Sequence, residues 1–388
     1  MSDSHTAMPC HVCRTGWLQT FPEFTTLSRV TSDAKPFPRG GELAVCENCG
    51  TVQKPITPDW QAEADAIYAA YTIYHNAGGA EQNLFNGGGG QPASRSSRLV
   101  QQLCERIGLP ESGRMLDLGC GNGAMLRSFS EHCLGWSLVG NELDDKNRAA
   151  IEAIPRVEKL HPGQPEDVPG TFDAITLLHV LEHVPDPVGF LRRIVTKLNA
   201  NGLVVVEVPD YRHSPFDLAV ADHCTHFALD TLVAVFETAG LQIVAAAEDI
   251  IPKELTVVGR PGGCAKPLST RAGTELTATA NRQIAWLAEL ASRGRELART
   301  NGVGVFGTSL GGAWLLGELG EAVRFFVDED PAKVGKTWAG RPILKPADAP
   351  HGSHVLIGLP DAIAATVKVR LEQQAGAHFT LPVAARAA

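Results

Sequence analysis

Met115-Leu116-Asp117-Leu118-Gly119-Cys120-Gly121-Asn122-Gly123-Ala124 decides the fold. Its first four residues read as a strand. The glycines at alternate positions then read as a loop that takes positive φ and lets a ligand approach the backbone without Cβ obstruction. A helix is expected from Ala124 to about His132. An open α/β sheet binds ligands outside the carboxyl ends of its strands, so a nucleotide-like cofactor would sit at this loop.

Working outward, residues 98–262 alternate strands and helices as a central doubly wound parallel sheet requires. The second strand ends in Ser137-Leu138-Val139-Gly140-Asn141-Glu142. A carboxylate there, about 20 to 25 residues past the glycines, is placed to accept both hydroxyls of a ribose. Residues 163–169 follow a third strand and offer Gln164 to the edge of an adenine ring. The fourth strand is expected at 171–178 and the fifth at 202–208. His179-Val180-Leu181-Glu182-His183 leaves the fourth. As a string it matches one metalloprotease arrangement, but those ligands must share a helical face, and Pro185 and Pro187 disfavour helix. It reads instead as a loop at the open end of the sheet. Asp222-His223-Cys224-Thr225-His226 places two imidazoles and a carboxylate on a loop after the fifth strand, a second candidate for proton transfer.

The flanks carry their own signals. Residues 1–60 hold Cys10-His11-Val12-Cys13 and Cys46-Glu47-Asn48-Cys49. Two Cys-x-x-Cys knuckles complete a closed, tetrahedral structural zinc site, and metal binding would supply folding energy that so short a segment lacks. Residues 61–97 read as a helical arm and glycine-rich hinge, with Gly87 to Gly90 as the hinge. Tyr68, Tyr71, Tyr74 and His75 share one helical face there, either as a substrate lid or as a packing face. Residues 263–300 read as a helical connector with Ile284, Leu287, Leu290 and Ala291 as its apolar stripe. Residues 301–388 read as a Rossmann-like domain: a glycine-rich turn from Gly302 to Gly312, then Asp328 about 20 residues on, formally an NAD signal that packing explains equally well.

The chain has 388 residues, a formal net charge of -9 and nine cysteines. The acidic balance argues against a nucleic-acid partner, whose phosphates would need Lys and Arg. No apolar run approaches the roughly 20 residues of a membrane span, and the polar start is unlike a signal peptide. A cytoplasmic enzyme is expected, in a reducing compartment that suits the scattered cysteines.

With these residues in view, Asp117 to Gly123 resembles the first motif of class I S-adenosylmethionine-dependent methyltransferases, and Val180-Leu181-Glu182-His183-Val184-Pro185-Asp186-Pro187 resembles their motif after strand four. The two knuckles in front and the segment from Val327 to Lys336 behind resemble the nucleotide-sugar C-methyltransferases of deoxysugar biosynthesis. The resemblance implies a central class I methyltransferase sheet between a small zinc-binding domain and a C-terminal Rossmann-like domain. It implies S-adenosylmethionine contacts from Asp117, Gly119, Gly121 and Glu142, with Gln164 beside the adenine. Asn122, Leu143 and His179 complete the expected cofactor set, and structural zinc falls to Cys10, Cys13, Cys46 and Cys49. His183 matches an active-site histidine of the family, and Val220-Ala221-Asp222-His223 stands where the family has Tyr-x-Glu-His. Here valine replaces the tyrosine and aspartate the glutamate. His183 or His223 would take a proton, with Asp222, His226, Tyr74 and His75 as further catalytic candidates and a nucleotide sugar as the small-molecule substrate. The alternatives are O-methylation of a sugar or other hydroxylated metabolite, an NAD-dependent oxidoreductase using the last domain, an RNA methyltransferase, and a non-catalytic binding scaffold.

Overall fold

The computed structural model describes residues 8–71, 83–84, 93–268, 273–299, 301–374 and 376–382. Tyr74 and His75 lie outside them. The chain opens with strands β1 (Leu18–Thr20), β2 (Ala44–Cys46) and β3 (Val52–Gln53) and helix α1 (Pro58–Ala69). Thr57 caps α1 by accepting from the Trp60 N–H at 3.1 Å, and Pro58 fits the first turn, where its missing N–H costs nothing.

The central part follows as α2 (Arg95–Gln102), β4 (Ser112–Leu118), α3 (Ala124–His132), β5 (Gly135–Glu142), α4 (Arg148–Glu152), β6 (Val157–Pro162), β7 (Phe172–Leu178), α5 (Pro187–Val195), β8 (Leu198–Pro209), α6 (Pro215–Leu218), β9 (Thr225–His226), α7 (Leu229–Thr238), β10 (Leu241–Ala247) and β11 (Glu254–Pro261). Seven of the strands form one sheet in the order β6-β5-β4-β7-β8-β11-β10. Only β11 runs antiparallel to its neighbours. The inner strands β4 and β7 are buried on both faces, and so read as near-continuous apolar runs. The expected doubly wound α/β sheet is present, with the glycine loop at the carboxyl end of β4.

The last part comprises α8 (Gly273–Leu297), β12 (Val303–Phe306), α9 (Leu310–Leu319), β13 (Val323–Val327), β14 (Arg341–Leu344), β15 (His354–Ile357), α10 (Asp361–Glu372) and β16 (His378–Thr380). Its sheet runs β14-β13-β12-β15-β16, extended beyond β14 by the short strand Thr337–Trp338. Among the described residues no helix is long and apolar enough to cross a membrane.

The N-terminal segment does not build a core alone. Phe24, Leu27 and Val30 share one apolar cluster with Leu218 and Val220 of the central part, with Ile284, Leu287 and Leu290 of α8, and with Trp314 and Phe326 of the last part. The expected stripe on α8 is therefore a core face rather than the side of a free-standing strut. Polar groups lock the same seam. Trp314 Nε1 donates to the Ser28 carbonyl at 2.8 Å, and buried Glu318 accepts from the Ser28 N–H at 2.6 Å, from Arg39 at 2.6 Å and from Arg295 at 2.8 Å. Replacing a buried tryptophan by alanine typically costs about 3–5 kcal/mol through lost burial and the cavity left behind. Trp314→Ala should lower the denaturation midpoint accordingly; a shift worth less than about 1 kcal/mol would show that this seam contributes little.

Candidate active site

The glycine loop takes the expected conformation. Gly119, Gly121 and Gly123 have φ of +67°, +55° and +83°, and a Cβ on Gly119 would stand 2.6 Å from Val180 Cγ2. Glu142, at the end of β5, accepts from the Gly121 N–H at 2.9 Å through one oxygen and from the Leu143 N–H at 2.8 Å through the other. Loop and acid are thus fixed to each other. Asp117 is buried beneath the loop and accepts from Thr176 Oγ1 at 2.7 Å. Asn122 turns back to α3, where its carbonyl and its side chain both accept from Arg127. Leu143 is exposed beside Glu142, and Gln164 is exposed just past the end of β6.

His179 ends β7 with φ of +55°. Its ring meets Arg95 at Nε2 and Glu182 at 3.2 Å through Nδ1, inside a group of charges that includes Glu207 and Glu254. Burial and the Arg95 charge hold His179 well below its ordinary 6.5. Burial also pushes Glu182 and Glu254 up to about 8.

A second cluster lies beside this group. His183 closes the 3-10 turn Leu181–His183, so the segment after β7 is a tight turn and not the continuous helix a metalloprotease would need. Its Nδ1 lies 2.9 Å from the Tyr68 hydroxyl and 3.0 Å from the Asp222 carbonyl. The His223 ring stands edge-on to it, 4.6 Å between centroids. His223 Nδ1 donates to Asp217 Oδ1 at 2.7 Å, and His226 Nδ1 donates to the other oxygen of Asp217, also at 2.7 Å. Asp222 is fully buried, its oxygens accepting from the Ser32 N–H at 2.9 Å and the Ser32 hydroxyl at 2.5 Å.

The loop carrying these groups belongs structurally to the N-terminal module. β9 is the fourth strand of the sheet β1-β2-β3-β9, with Thr225 opposite Gln53 and His226 opposite Val52. Val30 donates to Ala219 and accepts from Ala221. On the far side of β3, the Gln53 amide donates to Cys10 Sγ at 3.0 Å. The four sulfurs of Cys10, Cys13, Cys46 and Cys49 lie within 4.8 Å of one another, with Cys13–Cys46 at 3.6 Å and Cys10–Cys49 at 3.8 Å.

Residues 93–246 match the model of a family described as a methyltransferase domain. The central segment is a class I S-adenosylmethionine-dependent methyltransferase domain. A ubiquinone biosynthesis O-methyltransferase of Xanthomonas campestris pv. campestris is 29% identical over 169 residues, 41% of this chain and 66% of that protein. The C-methyltransferase NovU of Streptomyces niveus is 25% identical over 216 residues, 52% of this chain and 47% of that protein. A solved S-adenosylmethionine-dependent methyltransferase from Clostridium acetobutylicum overlays with a TM-score of 0.35 at 12% identity, covering 53% of this chain and 98% of that one. The chain spans about half to just under two thirds of the length of these two curated relatives.

The residues of the methyltransferase domain fit its cofactor. The three positive-φ glycines give the loop its turn, the Glu142 carboxylate keeps lone pairs beyond its two backbone bonds, and exposed Leu143 offers an apolar surface. The sulfurs fit zinc, because a tetrahedron with Zn–S of about 2.3 Å has edges of about 3.8 Å. The Val12, Cys13 and Cys49 N–H groups point at sulfur, as thiolate ligands require. The C-terminal glycine turn fits packing. A Cβ on Gly311 or Gly312 would stand 2.0 Å from the Gly358 carbonyl or 2.1 Å from that of Gly307. Asp328, where an NAD ribose would need its acid, already accepts from Thr308 at 2.8 Å and from the Asp330 N–H.

The structure places His183, Asp222 and His223 beside one another. His226 is enclosed, with Asp217 on one ring nitrogen and Lys54 on the other, so it backs the cluster and does not line it. Tyr68 was legible as one of the tyrosines on a shared helical face, yet nothing in the spacing singled it out. Asp217, Lys54, Arg95 and Glu254 carried no local signal; each meets its partners only through the fold. The raised Glu182 carboxyl has a consequence for stability. The folded state holds its proton from the ordinary value of 4.5 up to about 8, so its contribution is lost as pH rises through that window. Glu182→Gln should therefore gain stability relative to the parent between pH 5 and pH 8 in denaturation measurements; an unchanged difference would show that Glu182 ionises freely.

Proposed function

We propose that this chain transfers a methyl group from S-adenosylmethionine to a small-molecule acceptor held against His183 and His223, the acceptor being a nucleotide-linked sugar methylated at the carbon beside a carbonyl. The observation that carries the reading is the His223–Asp217 pair, a buried imidazole committed through Nδ1 to a carboxylate and standing against His183. S-adenosylmethionine, when bound, supplies a methyl group already activated on a sulfonium. The protein has to orient the acceptor and remove one proton.

His223 suits the proton transfer. A carboxylate can only accept, so the Nδ1 proton is fixed and Nε2 is the free base. Burial works to lower His223, but Asp217 outweighs it and the net shift is upward. Burial and the neighbouring His223 charge instead lower His183 to about 4, so His183 stays neutral and orients the acceptor. Tyr68, hydrogen-bonded to His183, provides a hydroxyl beside the same position. The nucleotide-sugar class is supported by the resemblance of the flanking segments, and carbon as the target by the name of NovU. Oxygen methylation is the second reading, supported by the ubiquinone biosynthesis relatives, and would use the same Nε2 on a hydroxyl proton.

Glu142→Ala should weaken S-adenosylmethionine binding at least about 10-fold by calorimetry, the loss expected for a charged hydrogen-bonding partner. Methyl transfer onto a panel of nucleotide-linked keto sugars and hydroxylated metabolites tests the acceptor. His223→Gln should lose about 10²-fold or more of that turnover. The base must be neutral to act, so the acid limb of the rate profile should lie above pH 6.5. Turnover within a few-fold of the parent would overturn the base assignment.

Zinc is proposed for the four thiolates. Elemental analysis should find one ion per chain, and Cys46→Ser should lose it together with thermal stability. A fully stable chain without metal would remove the assignment.

A further inference from the structure

Lys54 has no part in the chemistry described so far, yet it is buried between the N-terminal module and the loop that carries the histidines. Its Nζ meets three groups: the Leu218 carbonyl at 3.2 Å, the His223 carbonyl at 3.0 Å and His226 Nε2 at 2.9 Å. An ammonium has three N–H donors and no acceptor, so three acceptors fill its capacity.

We propose that Lys54 and Asp217 are positioning residues for His223, linked through His226 in a one-way chain of hydrogen bonds that fixes the tautomer and the orientation of the base. The proposal rests on the reading of His223 as the base.

Both ends of the chain are one-directional. Lys54 gives a proton to His226 Nε2, which leaves the ring proton of His226 on Nδ1, where it donates to Asp217 Oδ2. The other oxygen of Asp217 can only accept, so His223 carries its proton on Nδ1 and presents the Nε2 lone pair. Burial lowers Lys54 to about 7, and the direction holds on both sides of that value. Asp217 requires the proton on Nδ1 of His226, so Nε2 stays an acceptor whether Lys54 gives one of three protons or one of two. Burial works against the charge on Asp217, but the two imidazoles outweigh it and hold the carboxyl well below the usual carboxylate range. The same loop is stitched to β3 one residue before Lys54, so backbone pairing and side-chain chain reinforce each other.

The groups around His223 decide its titration. Asp217 faces it from α6, Glu182 and His183 from the 3-10 turn, Asp222 from its own loop, and His226 from β9; His179, just past the end of β7, is held neutral by burial and by the Arg95 charge. Asp217 touches it directly as an anion. Removing that charge should lower its pKa.

Nitrogen-15 histidine labelling of the full chain, with long-range proton–nitrogen spectra, reads each tautomer, and His223→Gln and His226→Gln assign the signals. Both neutral rings are expected in the Nδ1–H form. Asp217→Asn offers one acceptor and one donor where the carboxylate offered two acceptors, so one ring should invert. Turnover should fall on the order of 10²-fold, the acid limb should move to lower pH, and the KM for S-adenosylmethionine should hold. Lys54→Met should lower turnover with the same unchanged KM; if it fails to fold, the parent and Asp217→Asn spectra decide. A parent His223 in the Nε2–H form, or Asp217→Asn leaving tautomers and acid limb unchanged, would overturn the donor chain. Expected tautomers combined with parent-like turnover in His223→Gln would instead overturn the base assignment while the chain of bonds stands.

Discussion

The backbone pairing between the N-terminal module and residues 219–227 is the constraint on which the rest depends. Val30 exchanges hydrogen bonds with Ala219 and Ala221, Ser32 holds Asp222, and β9 completes the sheet begun by β1 to β3. Without that pairing the loop after β8 would have buried carbonyl and N–H groups with no ladder to satisfy them. With it, a stretch of the methyltransferase domain is held by a module folded around four sulfurs. The glycine loop with Glu142 and the histidine cluster therefore have different origins. The first is local to one sheet, whereas the second is assembled from three separate parts of the chain.

Burial then sets the chemistry. Lys54, Asp217, Asp222, His223 and His226 are all enclosed, and charges taken out of water are tolerated only when paired and hydrogen-bonded. Here a single carboxylate serves two imidazoles, and a single lysine satisfies three acceptors. That economy leaves little freedom of orientation. It also separates the two facing histidines: Asp217 raises His223, whereas burial and the His223 charge lower His183. Of the two facing imidazoles, His223 is the more basic.

The C-terminal part plays a mechanical role in this arrangement. Trp314 and Glu318 of α9 grip the backbone at Ser28, two residues before the pairing with the loop begins. Its glycine turn allows α9 to approach neighbouring carbonyls closely. A glycine-rich strand-to-helix turn can thus serve close packing against backbone carbonyls, whereas the loop at Gly119 to Gly123 is backed by the Glu142 carboxylate.

By itself the sequence determined what short-range sterics and periodicity control. The positive φ of Gly119, Gly121 and Gly123 and the extent of α3 from Ala124 to His132 follow from spacings over a few residues, whereas the acid at the end of β5 and the paired Cys-x-x-Cys knuckles were legible as motifs whose halves meet across 21 to 39 positions. His183 and His223 were legible for the same reason, as polar groups on loops at the open end of a sheet. Their partners were not. Tyr68 reaches His183 across 115 positions, and Lys54 reaches His226 across 172. Asp217 is close in sequence to both imidazoles, but a carboxylate six residues from a histidine has no helical or strand register that brings the two together. Only the folded loop does that, by turning through α6 and pairing with β3. The tertiary structure alone decided which imidazole is charged more readily, because that depends on burial and on neighbours that no local pattern records.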